Sequence, residues 1–253
     1  MVWKYGTKSG KSGHHTDVSN ATWESEWYSQ QRVAHSLEPG STEKEVDEAE
    51  LGRLVLEWIR HHKHVSKAQL LESMPDHMMK TLQSLLDRLD DDDVVVWDTE
   101  GGTDKWNVAG VRFGSGDTFV HEPPNTPQVP GTIAHDLLTD EALGNVRDMM
   151  NSNALLLVSW GNHEEAWAKR TGITVPHLDM LAVMQQHIIP HVGQKWQDGT
   201  AKTGHYLGCC GMNILVKIFG IRDCCYHKAL SDSQDERLLI RALLRAIKTL
   251  YFP

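Results

Sequence analysis

The residues of this chain best suited to chemistry begin at Gly161, where GNHE follows directly on the apolar run ALLLVSW at 154–160. A strand end that delivers Asn162 and His163 together can hold a divalent cation, which polarises a phosphoryl oxygen or lowers the pKa of bound water. The competing reading is structural: a turn in which Asn162 caps a helix carrying Glu164 and Glu165 in its first turn. A second donor set lies downstream, where His205, Cys209, Cys210, Cys224, Cys225 and His227 offer the thiolate and imidazole groups that zinc prefers. These cysteines stand in adjacent pairs, and chain neighbours cannot easily both turn toward one ion, so buried thiols on facing strands are the preferred reading. His177 and Asp179, with His227 far downstream, have the order of a facial iron triad, but the pattern around them predicts a helix over 177–188 rather than a strand. Near the start, GTKSGKS encloses three residues between Gly6 and Gly10, one fewer than a phosphate-binding loop, and no apolar strand leads into it. The expectation is therefore a chain with no catalytic residue and no cofactor. The alternative is zinc or another divalent metal, with Asn162, His163, His205, Cys209, Cys224 and His227 as candidate ligands.

Binding chemistry is more legible than catalysis. Arg237, Arg241, Arg245 and Lys248 recur at intervals of four, four and three, which places them on one face of a helix predicted over 233–250, with Leu239, Leu243, Ile247 and Leu250 on another. A basic stripe over an apolar seam fits contact with nucleic acid or another anionic partner; solvated arginines on a docked terminal helix are the plainer alternative. The net charge of −9 is concentrated elsewhere: residues 47–109 hold fourteen acidic and seven basic side chains, hence seven of the nine excess negative charges. Since phosphate contacts need positive groups or donors at the surface, that segment leans toward a protein partner, with Asp90 to Asp93 read as a solvated turn.

The elements that position these groups follow from periodicity. Leu51, Leu54, Val55, Trp58 and Ile59 repeat on one helical face; Ser66 is a candidate N-cap for a second helix containing Leu70 and Leu71; and Pro75 opens a third, with Met78, Leu82, Leu85, Leu86 and Leu89 inward. A β-rich run at 94–97, the polar DTEGGTD and the alternating Trp106 and Val108 complete a hairpin. Residues 1–46 are rich in Gly, Ser, Thr, His and Lys and read as a flexible arm, while four of the nine prolines fall at Pro123, Pro124, Pro127 and Pro130 in a linker spanning 113–131. Residues 132–253 alternate helical and extended patterns: a helix around 134–151, the strand at 154–160, helices near 163–170 and 177–188, two strands near 205–220 and the basic helix. The fold class is thus α+β, an N-terminal winged-helix domain at 47–112 joined by a Pro-rich linker to a larger mixed α+β domain.

The helix, helix, helix, hairpin segment resembles the winged-helix superfamily and, within it, the Zα branch that binds left-handed nucleic acid: Pro75 opens the third helix, and Gly102, Thr103 and Trp106 stand near the Gly-Thr-Pro-Pro-x-Trp wing pattern of that branch. Asp104 and Lys105 replace its two prolines, and Lys80 and Ser84 fall near the positions of its Asn and Tyr. The resemblance implies a surface for nucleic acid or a protein partner made of Lys80, Ser84, Arg88, Lys105 and Trp106. Separately, GNHE resembles the third motif of the calcineurin-like metallophosphoesterases, without the flanking motifs. The leading expectation is a non-catalytic, nucleic-acid-associated regulatory or assembly factor. A protein-interaction module without nucleic-acid contact and a diverged metal-dependent phosphoesterase at 161–164 are the alternatives. Ordinary globular composition (40% hydrophobic, 23% charged), no long apolar run and four cysteines without an export signal predict a soluble protein of the cytoplasm or nucleus with reduced thiols.

Overall fold

The computed structural model describes residues 47–62, 64–100, 107–121, 140–190, 212, 215–216, 219–221 and 229–253. Three helices come first: α1 (Glu48–His61), α2 (Lys67–Ser73) and α3 (Asp76–Asp87). Asp47 starts α1 by accepting hydrogen bonds from the amides of Ala49 and Glu50 at 2.9 and 3.3 Å, and the apolar stripe from Leu51 to Ile59 is buried as its spacing predicts. Ser66 caps α2 in a reciprocal box with Gln69, and Pro75 stands immediately before α3. Leu82, Leu85 and Leu86 of α3 are buried, with Met78 and Leu89 packed at the edge of the core.

A five-stranded mixed sheet follows, built from β1 (Val94–Glu100), β2 (Asn107–Arg112), β3 (Thr118–His121), β4 (Leu156–Ser159) and β5 (His177–Asp179) in the order β3-β2-β1-β4-β5. The β1–β2 and β2–β3 pairs are antiparallel, and β1–β4 and β4–β5 are parallel. Helices cover both faces. Val94 and Val96 of β1 join the core made with α1, α3 and the last helix, α7 (Ala229–Tyr251), whereas Val95 and Trp97 pack against α4 (Asp140–Asn153) and α5 (His163–Thr171). Gly172 ends α5 in the left-handed region at φ 78°, which lets the amide of Ile173 reach the carbonyl of Ala168. After β5, a short helix α6 (Met180–Ala182) runs on as a π-helical stretch over Val183–Ile188.

The chain is of α+β class, but its parts are arranged differently from the expectation. The sheet runs straight through the boundary placed at 113–131: β1 of the first segment bonds to β4 of the second, and α1 and α7 lie in one core. Part of the expected linker, Thr118–His121, is a strand because its extended backbone completes the β2 edge. Residues 177–179 form a strand rather than a helix, since Leu157 to Ser159 offer an open parallel edge that pairs with them. Leu215 and Val216, expected in a strand, are helical, with the amides of Phe219 and Ile221 bonding back to them. The N-terminal arm, the prolines of the linker, Lys105, Trp106, His205, all four cysteines and His227 lie outside the described residues.

Candidate functional site

The chain leaves β1 toward β2 and β3 on one side, then returns to build β4 and β5 on the other, so the strand order reverses between β1 and β4. In sheets with parallel strands, a crevice opens outside the carboxyl ends of the strands at such a point. Here those ends carry acids. Asp98 and Thr99 lie in the last three residues of β1, Ser159 ends β4 with Trp160 next after it, and Asp179 ends β5 in register with Ser159. From α5 comes Glu164, and from the first turns of α7 come Asp232, Asp235 and Glu236.

Each carboxyl has an identifiable support. Glu164 is buried; Thr99 Oγ1 donates to its Oε1 at 3.1 Å, and the amides of Thr99 and Glu164 itself also face it. Burial outweighs these donors and, with the nearby Asp179 charge, pushes Glu164 up to about 7. Asp179 accepts from the amides of Ala182, Leu181 and Gly161, yet burial still raises its carboxyl. Glu236 is only 5% exposed; it takes the amide of Trp160, while its Oε2 has no partner. Burial raises Glu236 well above the ordinary range, and the charges of Asp98, Glu164 and Asp232 raise it further. Like charges gathered away from water repel unless a proton or a cation offsets them.

A second group at this edge is neutral. Ser159 Oγ lies 2.9 Å from Nε2 of His177, and burial lowers that imidazole to about 4. His177 also stacks edge-on against Trp97, with ring centroids 6.2 Å apart. With a neutral ring and no hydrogen-bond partner at its buried Nδ1, His177 is held as a packed, uncharged group.

The residues anticipated from sequence fall elsewhere. Asn162 and His163 are exposed on the turn before Glu164, and Asn162 occupies the N-cap position of α5 without a side-chain cap hydrogen bond. Lys80 and Ser84 are exposed on α3, and Arg88 is engaged with Asp93 at 2.9 Å and Asp91 at 3.3 Å. The basic stripe is not a surface. Arg241 is 5% exposed and Arg237 and Arg245 are partly buried, because their guanidinium groups find acceptors inside the fold: Glu48, Asp90 and the carbonyls of Leu89, Arg112, Phe113 and Gly114. Lys248 alone of the four is exposed, its Nζ 3.4 Å from the carbonyl of Leu86. The aspartate run is an exposed turn as expected, Asp90 to Asp92 facing solvent, although Asp90 also pairs with Arg241 and Asp92 Oδ1 accepts the amide of Ser115 at 2.7 Å.

Sequence reasoning passed over the carboxylate cluster, although signals for it existed. Asp98 directly follows the apolar run VVVW within β1; an acid follows β4 within the GNHE turn; and Asp232 and Glu236 are one helical turn apart on a helix otherwise read for its arginines. The donors are all oxygen, which suits Mg2+, Mn2+ or Ca2+ rather than zinc. As the side chains stand, no three His, Cys, Asp or Glu among the described residues are already drawn together around one point. No helix among those residues is long and apolar enough to cross a membrane. In comparisons with known proteins, no family model, no curated protein and no solved structure matches the chain.

Proposed function

We propose that the chain is a divalent-cation-dependent phosphodiester hydrolase, with nucleic acid as the substrate class, in which Asp98, Glu164, Asp232 and Glu236, spread around the carboxyl ends of β1 and β4, close on the cation when it binds. The observation that carries this reading is the buried Glu236, whose free Oε2 lies among the charges of three other carboxyls. A cation with bound water would offset that charge, polarise a phosphoryl oxygen and supply a hydroxide at neutral pH. The protein's own contribution is to pre-place the acceptors. Thr99 fixes the Glu164 carboxyl, the Trp160 amide fixes one oxygen of Glu236, and Asp179 holds the Gly161 turn that carries α5 to the crevice. Asn162 and His163 stand exposed on that turn, where a substrate would pass.

This reading replaces the leading expectation of a non-catalytic factor, because the arginines on which that expectation leaned turn inward. It keeps the phosphoesterase alternative but moves the chemistry from Asn162 and His163 to the acids around them. The winged-helix reading of 47–112 stands beside it as a proposal, supported by the order of α1, α2, α3, β1 and β2; exposed Lys80 and Ser84 would then touch the substrate strand. The test is hydrolysis of labelled DNA and RNA oligonucleotides with Mg2+ or Mn2+, against EDTA and against Asp98→Asn and Glu164→Gln. Cation-dependent cleavage lost in both variants is expected. Cleavage that is absent, or indifferent to both substitutions, overturns the proposal.

A further inference from the structure

The segment after β5 is wound in a way that weakens it. From Val183 to Ile188 the chain is a π-helix, a winding that mostly occurs as a single turn inside an α-helix, and the amide of Ile189 closes it on the carbonyl of Met184 at 2.8 Å. Five of its six side chains are buried and Gln186 alone is exposed. Two of the buried five are polar. Gln185 is 8% and His187 6% exposed, and Nε2 of each is buried without a hydrogen-bond partner. Each such nitrogen forfeits the hydrogen bonds it makes in water, which favours release of the segment.

Contact with α2 holds the stretch in place. The amide of Val65, just before α2, donates to the carbonyl of Ile188 at 3.0 Å, and Leu70 and Met74 share a core with Met184 and Ile188. Nδ1 of His187 lies 3.3 Å from Ser73 Oγ, which itself donates to the carbonyl of Leu70 at 3.5 Å. With the one hydroxyl proton on that carbonyl, the ring donates through Nδ1 and its Nε2 is a buried lone pair. Among the described residues no counter-charge faces the ring: Lys67 lies over the Phe252 ring, His64 meets Tyr251, Asp179 caps Ala182, and Glu72 is exposed. A second proton on the imidazole would therefore put a charge and an N–H without an acceptor into the core. Burial accordingly lowers His187 from its ordinary 6.5. Out of its seat the ring takes the proton at the ordinary value, so a fall in pH through that interval favours the opened form. We infer that residues 180–190 are an acid-sensitive latch: with His187 neutral they fasten the end of β5 to α2, and with His187 protonated they let go of Ser73 and Val65 and uncover the apolar seat at Leu70 and Met74.

The experiment is hydrogen–deuterium exchange of the full chain from about pH 7.5 to about pH 5.5, an interval that brackets histidine titration, corrected for intrinsic exchange, for wild type, His187→Gln, His187→Phe and Ser73→Ala. One linked proton allows at most about a tenfold rise in opening per pH unit, so residues 180–190 of the wild type are expected to open severalfold more often at the acid end while α1 keeps its protection. His187→Gln, which seats a neutral amide in the same place, is expected to flatten that profile; His187→Phe, which cannot ionise either, takes its place should that chain not fold. Ser73→Ala removes the partner of the ring and should open the segment a few-fold more at every pH. Protection that does not change with pH in the wild type overturns the latch by itself. A slope that persists in His187→Gln or its stand-in, or wild-type protection in Ser73→Ala, overturns it as well.

Discussion

Ser159 Oγ lies 2.9 Å from Nε2 of His177, yet it donates its proton at 2.8 Å to the carbonyl of Gly161. A serine has one proton to donate, so the imidazole is the donor in the Ser–His contact and cannot act there as a base toward Ser159. The pair therefore ties β5 to β4 and the Gly161 turn rather than forming a nucleophilic dyad. Ser159→Ala is expected to keep the cation-dependent cleavage within a few-fold of wild type and to cost about 1 kcal/mol of stability. Both chains should resist a fluorophosphonate probe. Labelling of Ser159, or loss of cleavage in a folded Ser159→Ala chain, would reverse this assignment.

The raised Glu164 makes stability depend on pH with a definite sign. In the folded chain this carboxyl keeps its proton up to about 7, whereas its ordinary value is 4.5. Between those values the folded state holds the extra proton, so the Glu164 contribution falls as pH rises. His177 acts oppositely: its folded value of about 4 lies under the ordinary 6.5, so its contribution grows as pH rises through that interval. A Glu164→Gln chain keeps the acceptor for Thr99 and loses only the titration. With EDTA present, its stability relative to wild type should increase from about pH 5 to about pH 8, by on the order of 3 kcal/mol. Denaturant unfolding at several pH values measures this, and a flat difference would mean that Glu164 titrates normally.

A sheet shared across the chain also has a thermodynamic signature. Trp58 in α1 and Leu243 in α7 are both 0% exposed in the same core. Trp58→Ala and Leu243→Ala are each expected to cost about 2–5 kcal/mol and to shift one common unfolding transition. Two separable transitions by fluorescence and circular dichroism, each moved by only one substitution, would restore the two-domain division.

How much of this was legible can be traced residue by residue. Local signals worked: Ser66 and Gln69 form their capping box, and the stripe through Leu54 and Trp58 is buried, because caps and helical periodicity depend on near neighbours. Pairing across distance was not legible. Nothing near His177 announces that Leu157 will bond alongside it, and a three-residue strand is too short to show alternation. The arginines misled for a related reason: periodicity places Arg237, Arg241 and Arg245 on one face, but whether that face meets water or Glu48 depends on a residue almost two hundred positions away. The carboxylate site was hidden the same way, since its acids come from β1, α5 and α7 and only the sheet order brings those ends together.

The turn after β2 supplies a sharp test of how Arg237 and Arg241 are seated on the carbonyls of Phe113 and Gly114. Gly114 accepts from Arg237 Nη2 at 2.8 Å and donates its amide to the carbonyl of Asp91 at 3.2 Å. A Cβ at Gly114 would run into the carbonyl of Asp90, which is backbone and cannot swing aside as a side-chain tip would. The turn would have to open, carrying the carbonyls of Phe113 and Gly114 away from Arg237 and Arg241. Gly114→Ala is therefore expected to destabilise by about 1–3 kcal/mol, whereas Gly52→Ala, on α1 with open space around the new methyl, should stabilise by about 0.5–1 kcal/mol. Chemical denaturation of the two variants decides it: equal effects would mean that the turn at 113–116 yields freely and that the arginine hooks do not depend on its shape.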